Sequence, residues 1–121
     1  MNRSKCCSFS SSVLLLALAA SAWADEAWTV VGATGVVRYV IVPTAQARDR
    51  AAYERQIQQL CEPKRSCFLN FFTNSSGAPL ALPLPDAIEK EATAVFRRST
   101  KQGAEMLRWS CRLQLSEGDC F

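Results

Sequence analysis

The sequence predicts a small α+β domain: a two-layer α/β sandwich with two helices on one face of a three- or four-stranded sheet. Three observations lead there. Runs rich in β-branched and aromatic residues at 36–42 and 67–73 read as strands. Each is followed by apolar residues at helical spacing. Four cysteines spread through the later two thirds of the chain are placed to staple the result.

The first 24 residues stand apart. Arg3 and Lys5 precede an apolar run from Val13 to Ala20, and Ser21-Ala22-Trp23-Ala24 ends in the Ala-x-Ala pattern that a signal peptidase cuts. The run is far short of the ~20 residues that span a bilayer. Residues 1–24 are therefore expected to be a secretory signal peptide removed near Ala24/Asp25, and residues 25–121 a single domain, secreted or periplasmic. Cys6 and Cys7 precede the apolar run instead of sitting at the cleavage point, so they are not lipoprotein cysteines and leave with the leader. Of the 14 Lys and Arg residues, Arg3 and Lys5 leave too; 12 then face 11 Asp and Glu, and the net charge falls from +3 to about +1. Near neutrality removes the electrostatic case for a nucleic-acid partner. There is no polybasic cluster to bind anionic lipid either.

Cys61, Cys67, Cys111 and Cys120 remain, an even set in an oxidising compartment, and read as two disulfides. Of three connectivities, the two short closures Cys61–Cys67 and Cys111–Cys120 are favoured. Each stabilises by roughly 2–3 kcal/mol in the chain-entropy account. The C-x5-C and C-x8-C spacings are not those of zinc knuckles, histidine is absent, and there is no C-x-x-C motif. No metal or cofactor is expected.

Along the chain, Trp28 to Val31 is extended and separated by Gly32-Ala33-Thr34-Gly35 from the strand Val36 to Val42, which Pro43 ends. A hairpin and one bent strand both fit the glycines. From Ala47 to Leu60 the pattern is helical, with Tyr53, Ile57, Leu60 and Cys61 on one stripe and Asp49 suited to the N-terminus. Glu62-Pro63 ends it. After the strand Cys67 to Thr73, residues Asn74 to Pro85 carry three prolines and predict turns and extended chain. Asp86-x-x-Glu89 then resembles a capping box. Ile88, Ala92, Val95 and Phe96 predict a second helix, with Arg97, Arg98 and Lys101 near its C-terminal end and Gly103 as its stop. Finally Glu105 to Leu113 alternates, with Leu107, Trp109, Cys111 and Leu113 opposite Met106, Arg108, Ser110 and Arg112.

The expected order is (β)βαβαβ. Right-handed crossovers place both helices on one face if the strands follow in spatial order. A reversal midway would instead cover both faces, but the polar side of the last strand favours two layers.

Without histidine, Ser-His-Asp and Cys-His catalysis are excluded. Neither a Ser-x-x-Lys motif nor a phosphate-binding glycine loop is present. Asp86, Glu89, Glu91 and Glu105 lie close in sequence, which keeps carboxylate catalysis open, although helix caps and solvated faces account for them more simply. Asn74-Ser75-Ser76 matches a glycosylation acceptor.

The sheet face away from the helices is more distinctive. Phe68, Asn70 and Phe72 are expected to point outward there beside Arg108 and Arg112. Arg38 joins them if Val37, Tyr39 and Ile41 turn inward. Arginine among aromatics and amides is the composition of a recognition surface. The plain alternative is that the Trp28 segment or the C-terminal tail covers the phenylalanines, leaving the arginines merely solvated. The expected function is an exported, non-enzymatic binding or interaction module, accessory or inhibitor-like. Its partner is another exported protein or an anionic ligand. A small carboxylate-based hydrolase and a secreted effector are the alternatives.

Overall fold

The structure, a computed structural model, describes residues 26–115 and 118–121. The expected signal peptide, residues 1–24, and its expected cleavage point lie outside them. Five strands form one mixed sheet in sequence order: β1 (Thr29–Thr34), β2 (Val37–Val42), β3 (Cys67–Thr73), β4 (Ala92–Ser99) and β5 (Ala104–Trp109). Neighbours pair antiparallel except β2 and β3, which run parallel. Parallel neighbours need a long crossover, and helix α1 (Arg50–Leu60) supplies it. The N-terminal glycines thus make a hairpin, with Val31 as the extra residue of a bulge between β1 and β2.

The α+β class and both disulfides stand as expected; the strand count and order do not. The region read as a second helix is a single turn, α2 (Asp86–Glu89), followed at once by β4. Its start also differs, because Pro85 occupies the capping position and the Asp86 side chain makes no cap hydrogen bond. The physical reason is the neighbouring strand. β3 already pairs with β2, and its other edge would leave backbone groups unpaired without β4. Tertiary pairing overrides the helical spacing of Ala92, Val95 and Phe96. Gly103, expected to stop that helix, takes a positive φ of 62° in the β4–β5 turn. The last strand ends at Trp109, and Cys111–Leu113 forms a 3-10 turn.

The two helices lie on opposite faces. On one, α1 packs Tyr53 and Ile57 against Val40, Val42, Leu69, Phe71 and Phe96. Tyr53 is central: its ring meets Trp28, Phe71 and Trp109 edge-on at 5.0, 5.2 and 4.6 Å. Its hydroxyl donates to the Ala47 carbonyl at 2.8 Å. Burial pushes the phenol up to about 12, only partly offset by the nearby Arg112 charge. The helix starts as expected, with Asp49 accepting from the Ala52 amide at 3.2 Å. Arg38 donates to the Leu60 carbonyl at its far end, 2.7 Å away. There the buried Cys61–Cys67 disulfide joins α1 to β3.

On the other face, α2 and the 74–91 connection cover only part of the sheet. Ile88 and Leu84 bury Phe72, with Tyr39, Ile41 and Val31 around them. Leu82 lies so close to β1 that a Cβ at Gly32 would come within 2.7 Å of its Cδ1. Leu80 and Leu82 both stay exposed.

Two buried polar groups differ in their satisfaction. Gln56, on the buried side of α1, accepts from the Trp28 amide and donates to the Glu26 carbonyl, both at 2.8 Å, and so pins the N-terminal segment. Thr93 is the extra residue of the β3–β4 bulge, and its hydroxyl has no partner in hydrogen-bonding geometry. Gln56→Ala strands the Trp28 amide and is expected to cost about 1–3 kcal/mol in urea unfolding. Thr93→Val keeps the shape and removes an unpaired hydroxyl, so it is expected to be neutral or to stabilise by up to about 1 kcal/mol. A loss of similar size to Gln56→Ala would show that the hydroxyl is bonded after all.

Candidate functional site

Strand alternation decides which side chains share the face opposite α1. β3 sends Cys67, Leu69 and Phe71 to the α1 core and Phe68, Asn70 and Phe72 to the other side. The six residues expected on the recognition face do not all meet there. Phe68 and Asn70 are half-buried on it, while Phe72 is buried beneath Ile88 and Leu84. Arg38 belongs to the α1 side, since Val40 and Val42 of the same parity are core residues there. Tyr39 and Ile41 take the outward positions instead. The reason is the edge-to-centre change in β2: with β1 and β3 on either side, its most apolar pair, Val40 and Val42, is drawn under α1.

Arg108 does lie on the outer face, opposite Val95 in the β4–β5 register. It is engaged by the C-terminal segment: one Nη bonds Asp119 at 3.1 Å and the Cys120 carbonyl at 3.3 Å, and the guanidinium lies 5.9 Å from the Phe121 ring. The Cys111–Cys120 disulfide holds this segment beside β5. Arg112 lies beyond the sheet in the 3-10 turn. It donates to the carbonyls of Glu91 (2.7 Å) and Ala92 (2.9 Å) and to the Thr73 hydroxyl (3.4 Å).

The residue that occupies the middle of the face is Arg97, which the sequence reading had placed near the end of a helix. On β4 it stands opposite Phe68 and Met106. Its Nη1 donates to the carbonyls of Leu69 (3.3 Å) and Phe96 (2.9 Å), and its Nη2 to Asn70 Oδ1 (2.8 Å). The guanidinium is 5.7 Å from the Phe68 ring, a cation–π contact. Among the described residues, no carboxylate lies within ion-pair distance of it. Partial burial lowers its pKa, and the nearby Tyr39 phenol acts in the opposite sense. Two clefts flank this centre. One, of about 360 Å³, runs from Tyr39 and Asn70 to Leu82, Leu84 and Glu89. The other, of about 380 Å³, is bounded by Arg97, Phe68, Ala104 and Met106. Arg97 and Tyr39 were hidden by the helix reading and by the wrong parity for β2. The one sequence signal for Arg97 is its place among β-branched and aromatic residues in Thr93 to Phe96.

The carboxylates near one another in sequence disperse in space. Glu105 pairs with Arg98 at 3.2 Å on the α1 side, beside Glu54 and Ile57. Glu89 borders a cleft on the opposite face. Glu91 ties the irregular segments together, accepting from the Ser75 amide (3.0 Å) and the Thr73 hydroxyl (3.1 Å). Asn74 is similarly occupied, bonding the Ala78 carbonyl and amide at 2.8 and 3.0 Å.

Glu91 gives a pH signature. Desolvation raises its pKa, but the bonds from Ser75 and Thr73 and the Arg112 charge outweigh that, and the net shift is downward. A depressed carboxylate stabilises fully above its unfolded value of ~4.3 and loses that contribution as pH falls through the folded value. Glu91→Gln is therefore expected to destabilise at neutral pH, with the gap to the wild type closing below about pH 4. Urea unfolding at a series of pH values measures it; a gap independent of pH would remove the carboxylate from the account.

No protein-family model, curated protein or solved structure matches the chain.

Proposed function

We propose that this protein is an exported, non-enzymatic binding module. Its contact surface is the sheet face opposite α1, centred on Arg97 and bordered by Tyr39, Phe68, Asn70 and Met106. The observation that carries this reading is a half-buried guanidinium with no carboxylate partner among the described residues, set between two open clefts. An arginine held by backbone carbonyls and an aromatic ring is positioned before its ligand arrives, which lowers the ordering cost of binding. The ligand is an anion or an acidic group on another exported protein. Export is supported by the leader-like first 24 residues and by two disulfides. Among the described residues, no helix is long and apolar enough to cross a membrane.

The test compares material retained from an envelope or culture-fluid fraction by the wild-type protein, by Arg97→Ala and by Arg38→Ala. Arg97→Ala is expected to lose the retained partner while Arg38→Ala, altered on the opposite face, keeps it. Equal retention by all three folded proteins would overturn the assignment of this face.

A further inference from the structure

The groups that surround Arg97 narrow the chemistry of the ligand. After its three bonds, Arg97 keeps two N–H donors, Nε–H and one on Nη2. Asn70 spends its oxygen on Arg97, so its amide nitrogen remains to donate, and the Tyr39 hydroxyl stands on the same face. This is a cluster of donors around one cation, complementary to an oxyanion. Two features select among oxyanions. Glu89 borders the cleft on the Asn70 side, and its charge opposes a dianion such as phosphate. On the other side, the Phe68–Met106 cleft opens directly beside the guanidinium, with Met106 45% exposed at its edge.

From this juxtaposition, we infer that the face binds the free C-terminus of a peptide whose last residue is large and apolar. The carboxylate meets Arg97 and Asn70, and the terminal side chain enters the Phe68–Met106 cleft. The chain leading into the site crosses toward Glu89, where a carboxylate accepts a peptide N–H. A fatty acid shares the carboxylate and the apolar group but has no N–H to offer Glu89, so the peptide is the better fit. The inference rests on the assignment of this face as the binding surface and adds the identity of the ligand.

The experiment titrates the full mature protein with N-acetyl-Ala-Phe carrying a free carboxylate, with the same peptide as its C-terminal amide, and with octanoate. The NMR signals of the Arg97 Nε–H and the Asn70 side-chain amide are followed. The free acid is expected to shift both signals and to bind at least tenfold more tightly than the amide or octanoate. Arg97→Lys, which keeps the charge but loses the planar fork of donors, is expected to weaken the acid at least tenfold in protein whose folding is checked by circular dichroism. Met106→Asp, at an exposed position, is expected to do the same by repelling the carboxylate and closing the apolar cleft. Equal binding of acid and amide, lost in Arg97→Lys, would overturn the carboxylate assignment while leaving the face as a binding surface. Octanoate binding as tightly as the peptide would overturn the peptide assignment. Absence of any shift with the free acid would overturn the inference outright, and the retention experiment with Arg97→Ala then decides separately whether the face binds anything.

Discussion

Strand β3 carries large apolar side chains on both faces, and the rest of the molecule covers one face fully and the other only in part. It lies in the middle of the sheet with β2 and β4 bonded to its two edges, so no part of its ladder faces solvent. On one face, α1 provides a full stripe and the aromatic contacts of Tyr53 close the layer. Edge-to-face aromatic pairs of this kind add about 0.5–1.5 kcal/mol each beyond their burial. On the other, the chain supplies only one helical turn and Leu84 of the proline-rich connection. These cover Phe72 at one end of β3 and stop short of Asn70 and Phe68. The proposed contact face is the part of the central strand left by this unequal covering.

Much of the chain outside the sheet is irregular, and its polar backbone is satisfied by side chains instead of by a ladder. Gln56 holds the Glu26–Trp28 segment, Arg38 caps the end of α1, and Asn74 closes the turn that follows β3. Arg112 and Glu91 join the end of β3, the start of β4 and the turn after β5. Each such bond adds only about 1 kcal/mol net, but removing one partner strands a group that folding has already taken out of water. The two disulfides act at the same kind of junction. Cys61–Cys67 secures the crossover helix to the central strand, and Cys111–Cys120 secures the C-terminal segment to β5.

The three arginines first associated with the outer face have been drawn into such structural duties, each on a carbonyl or a local carboxylate. Arg97 differs in its place at the middle of the outer face, between two clefts. Its partial desolvation disfavours the charged form, and the carbonyls of Leu69 and Phe96 and the Phe68 ring offset that penalty. An anion would offset it further. Stability and the proposed ligand recognition would therefore act on the same side chain.

The residue pattern alone determined the local features whose causes are local. Cysteine spacing gave both disulfide pairs, the Tyr53–Ile57–Cys61 stripe and Asp49 gave α1, and alternation along Cys67 to Thr73 separated the two faces of β3. Tertiary structure decided the rest. Ala92 to Ser99 carries spacing that suits either a helix or a strand, and only the unpaired edge of β3 makes it a strand. That one choice moved Arg97 from a helix end to the centre of the outer face and gave the sheet its fifth strand. The parity of β2 was likewise open, because both of its faces are apolar; packing under α1 turned Val40 and Val42 inward and Arg38 with them. Side-chain periodicity records which residues share a face, whereas which face is covered depends on segments far away in the chain.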